Sequence, residues 1–534
     1  VTGGNITFNG PDALIITNDL TVTAPGTLKF NNNASLVQVN DSATNTGIIT
    51  MERITPPIYR FDYTYWGTPV TLASNFTLGL PLPSNGLSPD TLADKFFSWT
   101  PTIANGPGNW FFESASTVMN PIKGYIVRGP QTYSFTSGTK IPYTANFIGT
   151  PNNGVISCPI YHGTLASPDD RDDWNLLGNP YPSAVNALSF LGNPLNTPII
   201  DGTIYFWTHN SDISSSYLSP FYGTFLLNYN ASDYASWNRV GSVGTPAGTG
   251  GPMPNGYISA GQGFFTKSTG TAPSGNSVTF NNSMRVAGNN SQFYRMASTA
   301  HAPQDNNSFD PIERQRLWLN LTDENGVFNQ ILIGYVEGAT LGWDRDFDGI
   351  RFTDETSTTL YSTVEDKKLV IQGRPLPFDE HDEVPLGYRA NINSNFTFAI
   401  DHVDDIFLEQ NIYLEDRLLN ITHNLKLSPY TFSSAAGTFN ERFILKYNDI
   451  TLSNPSFELN QNVTAFIANH ELQIKSTQNI VDIQLYDITG KLIETYKPST
   501  FELNFKTKFQ YANGVYLTKI KLDNGIEVTK KVIH

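Results

Sequence analysis

Short runs that alternate between apolar and polar residues recur along the chain, and turn residues separate them. Arg316–Leu321 alternates cleanly, and Ile483–Tyr486 repeats the same period of two near the C-terminus. Successive side chains of a strand point to opposite faces, so this alternation predicts half-buried β-strands. The pattern therefore predicts an all-β protein built from many short strands.

The first 52 residues carry the most regular pattern. Candidate strands are Asn5–Phe8, Ala13–Ile16, Leu20–Thr23, Thr27–Phe30 and Ser35–Val39. Such short, regular periods indicate rungs of a parallel β-solenoid, whereas a plain antiparallel meander is the alternative. An uncapped solenoid needs more rungs, so we expect the natural protein to extend before Val1 as a long surface fibre or stalk.

Three further segments follow the repeats. Residues 53–297 predict a large β-sandwich or jelly-roll region, in which Met119–Tyr125 and Ile258–Phe265 resemble each other and suggest two related halves. A polar linker at 298–310 leads to a β-sandwich domain at 311–449. Strands and turn signals over 455–534 predict a C-terminal Ig-like sandwich. The expected fold class is thus all-β and multidomain.

The net charge and composition limit the classes of partner that this chain is expected to bind. The formal net charge is −15 and the pI is about 4.9, which disfavours nucleic acid and anionic membranes because phosphate binding needs clustered Lys and Arg. No stretch is apolar enough to predict a transmembrane segment, and no signal peptide opens the chain. The single cysteine, Cys158, lies in an apolar strand and is expected to be a buried small hydrophobe.

The most specific site motif lies between Asp344 and Glu355. The calcium-loop pattern D-x-[DN]-x-[DN]-G-x5-E is met by Asp344, Asp346, Asp348, Gly349 and Glu355. These carboxylates can converge on one ion, and Ile350 would add its carbonyl oxygen. Flanking helices are not evident, so a solvated acidic loop without an ion is the alternative. Calcium is the one cofactor that the sequence predicts, in a structural role.

Two other acidic clusters have simpler interpretations. Asp169–Asp173 is predicted to be a solvated loop with Arg171 as its counter-charge, although crowded carboxylates can also bind a cation or act as an acid/base pair. Phe378–Glu383 includes His381, but its spacing matches no tight metal signature, which favours a surface loop.

The sequence contains no H-E-x-x-H, G-x-S-x-G or P-loop motif, so we predict no catalytic residues and no enzyme. A carboxylate pair for glycoside hydrolysis would leave no local signature and stays an alternative. A platform for sugar stacking could be formed by Trp207, Tyr217, Tyr222 and Trp237. The competing interpretation places these aromatic residues in sandwich cores.

Several short motifs occur in order near the C-terminus. They are Asn454-Pro455, Tyr486-Asp487, Gly490-Lys491, Gly514-Val515-Tyr516, Gly525 and Lys530-Lys531-Val532-Ile533. This segment resembles the type A C-terminal sorting domain of the Bacteroidota type IX secretion system. The resemblance covers about a seventh of the chain and implies export across the outer membrane through the type IX translocon, with recognition by a PorV-type shuttle protein. It makes Asp487, Gly490, Lys491, Gly514, Val515, Tyr516, Gly525, Lys530 and Lys531 the expected sorting signal.

The resemblance favours a secreted cell-surface protein, adhesin-like or structural in role. The alternative is a secreted carbohydrate-binding or carbohydrate-active protein that contacts surface glycans. Asp41-Ser42-Ala43 and Asp90-Thr91-Leu92 also resemble O-glycosylation sites of Bacteroidota, which makes Ser42 and Thr91 candidate acceptors.

Overall fold

The computed structural model describes residues 1–81, 85–103, 108–135, 138–165, 171–215, 228–230, 233–244, 253–269, 276–291, 312–324, 327–352, 357–448, 463–498, 502–523, 525 and 527–534. About 51% of the chain is strand and 3% is helix, which confirms the all-β prediction. The chain forms two compact units, the N-terminal unit Val1–Asn448 and the C-terminal unit Asp449–His534. Within the described ranges, no helix has the length and apolar character needed to cross a membrane.

The N-terminal repeats are parallel, as a solenoid requires. The strands are β1 (Asn5–Phe8), β2 (Ala13–Ile16), β3 (Thr27–Phe30), β4 (Ser35–Gln38) and β5 (Ile49–Ile58). β1, β3 and β5 pair in parallel, and β2 pairs in parallel with β4. Asn5 lies opposite Thr27, so the first two rungs are in register 22 residues apart. The predicted solenoid is confirmed, and the antiparallel alternative is wrong.

Fifteen short strands follow the repeats in the part of the chain that the structure describes. They are β6 (Tyr63–Trp66), β7 (Phe96–Thr100), β8 (Asn109–Glu113), β9 (Tyr125–Arg128), β10 (Ile141–Gly149), β11 (Ile156–Ile160), β12 (Trp174–Gly178), β13 (Ala184–Asn186), β14 (Ile204–Trp207), β15 (Tyr234–Trp237), β16 (Ser242–Val243), β17 (Tyr257–Ile258), β18 (Gly263–Lys267), β19 (Asn276–Phe280) and β20 (Arg285–Val286). The helices here are α1 (Ala187–Leu191) and two 3-10 turns, Leu72–Ser74 and Asn282–Met284. The two larger sheets have the orders β6-β9-β7-β8 and β12-β18-β14-β15-β16.

A buried asparagine connects the end of β12 to the β17-β13-β20 sheet, and a glycine contact joins the two larger sheets. The Nδ2 group of Asn179 donates to the carbonyls of Ser183, Ile258 and Ser259, at 2.8–3.0 Å. A Cβ placed on Gly67 would lie only 2.7 Å from the Cα of Gly178, so the two backbones can meet only because both residues are glycine. The Gly178-Asn179 pair is therefore explained by backbone packing.

The third part of the N-terminal unit is an eleven-stranded sheet. Its strands are β21 (Arg314–Asp323), β22 (Phe328–Val336), β23 (Gly349–Ile350), β24 (Thr359–Val364), β25 (Lys367–Pro375), β26 (Glu383–Ala390), β27 (Ser394–Val403), β28 (Tyr413–Asp416), β29 (Ile421–Asn424), β30 (Tyr430–Ser434) and β31 (Gly437–Lys446), with the short helix α2 (Ile406–Glu409). β22 and β25 are parallel, whereas the other pairs are antiparallel.

β21 is buried on both faces, although its alternating sequence predicts one solvated face. Leu317, Leu319 and Leu321 belong to one apolar cluster, while Trp318 belongs to another. The buried charge of Arg316 is compensated by an ion pair with Asp404, in which Nε lies 2.6 Å from Oδ2. Burial of polar residues in the middle of a strand is tolerated when they are paired.

The apolar cores cross the predicted domain boundaries of the N-terminal unit. One cluster joins Leu28 of the solenoid to Phe147, and another joins Phe265 to Trp318. The segments 1–52, 53–297 and 311–448 thus cover one another's apolar faces within one compact unit.

The C-terminal unit has its own core. Its strands are β32 (Val463–Ala468), β33 (Glu471–Asp487), β34 (Leu492–Tyr496), β35 (Glu502–Lys508), β36 (Val515–Leu522) and β37 (Glu527–Ile533). The first half of β33 pairs with β32 and β35, and its second half pairs with β34 and β36. Gly490 and Gly525 have positive φ angles of 84° and 85°, as expected for the tight turns predicted there.

Candidate functional site

The predicted calcium loop has carboxylates that are engaged by the protein itself. Asp348 is fully buried and accepts from the backbone N–H of Asp344 at 2.8 Å and of Gly373 at 2.9 Å. Asp344 accepts from the N–H of Thr340, and Asp346 pairs with Arg345. Among the described residues, no group of three His, Cys, Asp or Glu side chains is placed to hold a metal ion. Glu355 lies outside the described residues, so calcium binding stays a prediction.

This loop also docks onto the preceding strands of the same unit. Arg345 Nε donates to the carbonyl of Ile200 at 2.8 Å, and the Tyr205 hydroxyl donates to the carbonyl of Ile350 at 2.7 Å. The Nδ2 group of Asn238 donates to the carbonyl of Phe347 at 3.1 Å. The loop is therefore a junction between the eleven-stranded sheet and the strands before it.

Burial shifts the ionisation of the loop's central carboxyl. Desolvation raises the pKa of Asp348 from its usual value near 3.8 to about 7, against the two backbone N–H donors, which favour the charged form. A bound cation would offset this cost because it would supply the missing positive charge. Asp348 is thus a residue through which pH can act on this junction.

The second acidic cluster is not a solvated loop where the structure describes it. Asp172 accepts from the N–H groups of Thr164 and Leu165 at 2.7 and 3.0 Å. Asp173 lies 3.4 Å from the ammonium group of Lys267, and both aspartates are buried. The prediction is therefore wrong for these two residues, because the sequence does not show that the preceding chain wraps around them. Residues 169 and 170 lie outside the described residues.

The cluster at 378–383 contains both exposed and buried charged residues. Asp379 and His381 are mostly exposed, as predicted for a surface loop. Asp382 instead forms a largely buried pair with Arg374 and accepts from the Tyr335 hydroxyl at 2.7 Å. The surface prediction is wrong for Asp382, whose carboxylate satisfies a buried arginine.

The aromatic residues proposed as a sugar platform are core residues where they are described. Trp207 and Trp237 are 8% and 1% exposed, which confirms the core interpretation for both. Tyr217 and Tyr222 lie outside the described residues. Cys158 is buried as predicted, and desolvation raises the pKa of its thiol to about 12.

A partly exposed aromatic surface lies on β7 and β8, and most of its rings pack against the core cluster that contains Phe265. Phe97 lies opposite Phe112, and Trp99 lies opposite Trp110, so these four rings share one face of the hairpin. Phe112 is 51% exposed, and the other three are half-buried. The ring centroids of the two tryptophans are 5.0 Å apart, with their planes near perpendicular. The alternation of Phe97 and Trp99 in the sequence was the only signal for this surface.

The two candidate glycan acceptors differ in exposure. Ser42 is exposed at a turn. Thr91 is buried, and its hydroxyl donates to the carbonyl of Arg128 at 2.7 Å, so the folded chain does not offer this oxygen to an enzyme.

Most of the residues expected to form a sorting signal, called the motif residues below, lie at one end of the C-terminal unit. The turn after β33 is closed by Asp487, whose carboxylate accepts from the N–H of Lys491 at 3.0 Å and from the Thr489 hydroxyl at 2.7 Å. These hydrogen bonds, from the hydroxyl first and the N–H groups after it, lower the pKa of Asp487. Across the sheet, Asp487 lies opposite Tyr516. The turn and the start of β36 are thus neighbours.

The register of β36 against β37 fixes the positions of the remaining motif residues. Val515 lies opposite Ile533, and Leu517 lies opposite Lys531. The N–H of Gly514 donates to the carbonyl of His534 at 3.1 Å, which places Gly514 at this end as well. Gly525 lies at the other end of the β36–β37 hairpin.

This motif end exposes apolar side chains. Ile488 is 72% exposed, Leu492 48% and Ile533 63%. Leu492 on β34 lies opposite Tyr486 of β33, and Tyr486 lies opposite Leu517 on the other side of β33, so these three apolar residues form a row across the sheet. Contiguous exposed apolar residues of this kind mark interaction sites.

Comparison with known proteins supplies family membership and no activity. A family model described as a domain of unknown function, DUF8693, matches residues 1–447. A second, DUF8694, is also described as a domain of unknown function and matches residues 452–534. A search of curated proteins finds no match. The first match spans most of the chain and ends with the N-terminal unit, so the chain belongs to the DUF8693 family.

Proposed function

We propose that this chain is a cargo of the type IX secretion system and that the C-terminal unit is its export signal, read by a PorV-type shuttle. The observation that carries the proposal is the clustering of motif residues and exposed apolar side chains at one end of a separately folded unit. A folded domain with its own core can be recognised without involvement of the N-terminal unit. The N-terminal unit is then the surface-displayed part, with an adhesin-like or structural role.

Export of a reporter protein tests this proposal. We expect a reporter that carries a signal peptide and residues 449–534 to reach the medium or cell surface of a Bacteroidota strain with a working translocon. The reporter should stay periplasmic in a strain that lacks the translocon. Retention in both strains, with the fused unit folded, would reject the export assignment.

A matched pair of substitutions tests the motif end. Leu492→Asp should reduce export by about tenfold, because it puts a charge into an apolar contact. Leu503→Asp is the control, since Leu503 is 46% exposed, close to the 48% of Leu492, but lies on β35. Equal export of both variants would contradict recognition through the motif end.

The aromatic surface on β7 and β8 favours glycan binding as a second function. Rings that share a half-exposed face can stack on sugar rings, and Trp99 and Trp110 also contact the buried Phe265, which holds them in place. The glycan would then be the surface ligand of the displayed N-terminal unit.

A glycan array and affinity measurements test the second function. We expect Trp110→Ala to weaken binding of the best glycan by about tenfold or more. Phe111→Ala should leave affinity unchanged, because Phe111 lies on the opposite face of β8 and is 57% exposed. If the unmodified protein retains no glycan, this function is rejected.

A further inference from the structure

The sheet β6-β9-β7-β8 carries two arginines that have no counter-charge within the described part of the chain. Arg128 ends β9 and lies opposite Tyr63 of β6, and Arg60 lies three residues before β6 begins. Neither guanidinium group forms an ion pair with a described carboxylate. Buried arginines are normally paired, so these two cations require an explanation.

Both guanidinium groups keep donors that the described chain does not satisfy. Arg128 is 6% exposed, and its Nη2 donates to Oε1 of Gln131 at 3.0 Å, but its buried Nε has no hydrogen-bond partner. The Nε of Arg60 donates to the carbonyl of Tyr133 at 3.2 Å, and its two Nη groups have no acceptor among the described residues. Because a guanidinium group has five N–H donors, most of them are available to a ligand.

The ring of Phe61 holds both arginines in place. The Cζ atoms of Arg60 and Arg128 lie 5.9 and 5.1 Å from its centroid. Phe135 packs edge-on against Phe61, with centroids 4.7 Å apart, and Arg60 also lies over this second ring. A guanidinium group that lies over an aromatic ring is held by that ring, while its N–H donors stay free to bind an anion.

The two positive charges oppose each other at this place. Burial lowers the pKa of Arg128, and the charge of Arg60 acts in the same direction. The groups that act in the opposite direction are Tyr63, Tyr229 and Asp94. An anion bound by both arginines would offset the repulsion, because it supplies negative charge to both.

The carboxylates of this region are engaged elsewhere or are exposed. Three of them lie within 3.2 Å of a basic group other than these arginines, Asp62 of His209, Asp94 of Lys95 and Asp212 of Lys140. Asp90, whose carbonyl accepts from the N–H of Gln131, is exposed and pairs with neither arginine. The described chain therefore provides no internal anion for this place.

The arginine on β9 shares a face of the sheet with the aromatic surface of β7 and β8. Arg128 and Ile126 are two residues apart on one strand, so their side chains point to the same face, and Ile126 lies opposite Phe97. Tyr63 connects the two places, because its ring meets that of Phe97 edge-on with centroids 6.2 Å apart. Gln131 and Phe135 are exposed beside the arginines, so this place is open to solvent.

The spacing indicates an extended ligand. The N–H of Arg128 donates to the carbonyl of Lys95, so Arg128 is level with a position four residues before Trp99. Four residues of a strand span about 13 Å. A ligand that contacts both Arg128 and Trp99 must therefore be an oligomer that carries rings and at least one negative group.

We propose that Arg60 and Arg128 form an oxyanion subsite for the carboxylate or sulfate groups of an acidic glycan, whose neighbouring sugar rings lie on the aromatic surface. A carboxylate or sulfate group can accept two N–H groups from one guanidinium fork. The inference rests on the glycan function proposed above and names the ligand class of that surface.

Paired oligosaccharides test the charge preference on the unmodified full chain. The probes are oligomers of galacturonate and mannuronate, each compared with its carboxyl-reduced form, and a sulfated galactan oligomer compared with its desulfated form. At least one acidic probe should bind about tenfold more tightly than its neutral counterpart, because hydrogen bonds to a charged group are the stronger ones. This preference should shrink as the salt concentration rises to about 0.5 M.

Arg60→Gln separates the subsite from the aromatic surface. It should reduce the preference for the acidic probe to less than about threefold and leave the affinity for the neutral probe unchanged. Arg60→Lys keeps the charge but loses the fork, so it should retain part of the preference. Arg417→Gln is the control, because Arg417 is also a partly exposed arginine but follows β28 in the eleven-stranded sheet, and this variant should keep the full preference.

The possible results distinguish failure of the subsite from failure of the glycan function. Equal binding of acidic and neutral probes, or a preference that Arg60→Gln leaves intact, would overturn the subsite while the glycan function stands. If no oligosaccharide binds, both proposals fail, and a rise in the unfolding midpoint with inorganic sulfate that Arg60→Gln abolishes would show that the arginines bind a free anion. Binding of polyglutamate through Arg60 as tightly as the acidic probe would mean that the assigned ligand class is wrong.

Discussion

In the absence of divalent cations, the N-terminal unit is expected to lose about 4 kcal/mol of stability at Asp348 as the pH rises from 4 to 8. The folded-state pKa of Asp348 is raised from about 3.8 to about 7 by burial. The folded protein therefore binds a proton more tightly than the unfolded chain. The stabilising effect of that proton is complete below pH 4 and is lost as the pH rises through 7.

Tryptophan fluorescence isolates the unit in which this loss occurs. All eight tryptophans of the chain precede residue 449, so urea unfolding followed by their emission reports the N-terminal unit alone. At each pH, the difference in free energy of unfolding between the unmodified protein and Asp348→Asn gives the contribution of this one carboxyl to stability. Asp348→Asn should show a constant loss, because an amide has only one oxygen to accept the two N–H groups, but no pH-dependent loss at this site.

Asp346→Asn is the matched control for the pH experiment. Asp346 belongs to the same loop, but its side chain is 52% exposed, so its substitution should leave the pH dependence unchanged. Calcium added at pH 8 should restore stability to the unmodified protein and not to Asp348→Asn, if the loop binds the ion as its sequence predicts. A flat difference between the unmodified protein and Asp348→Asn would contradict the assigned ionisation.

Asp416→Ala is expected to destabilise the N-terminal unit by about 3–5 kcal/mol. Asp416 is fully buried and pairs with Arg442, whose Nη2 lies 2.7 Å from its Oδ2. The same carboxylate accepts from the Tyr430 hydroxyl at 3.0 Å and from the N–H of Leu418 at 3.0 Å. Removal of the carboxylate leaves a buried guanidinium without its counter-charge.

A double variant shows whether the loss comes from the unpaired charge. Asp416→Ala combined with Arg442→Met should regain much of the stability, because the buried cation is gone as well. Asp366→Ala, which removes a half-exposed partner of Lys367, should change stability by less than about 1 kcal/mol. Equal losses in Asp416→Ala and the double variant, measured by urea unfolding, would reject this explanation.

The sequence was most informative about strands and turns. The alternation at Ile483–Tyr486 and the glycines at 490 and 525 correspond to a strand and two tight turns in the structure. The solenoid start was predicted from short strands at regular spacing with turn residues between them, because each rung pairs with the next rung along the chain. The 22-residue offset between rungs comes from the structure. These features depend on neighbours in sequence or on a fixed period.

The candidate sites depended more on contacts between distant segments. Asp344–Asp348 matches a calcium pattern, but the burial that raises the pKa of Asp348 comes from the strands around Gly373 and Thr203, which the motif does not contain. The aromatic surface needed the pairing of β7 with β8 to bring Trp99 beside Trp110. Spacing along the chain cannot supply either contact.

The sequence by itself determined the all-β class, the solenoid start and the order of the C-terminal motifs, because alternation, period and turn residues are local properties. Only the tertiary structure decided which polar residues are buried and where the cores lie. The sequence predicted surface positions for Asp172, Asp382 and Thr91. Each is buried or largely buried in the structure, because other segments of the chain cover it. Burial is a property of the whole packed unit, and the free energy that stabilises a polar group inside it comes from partners that sequence position does not reveal.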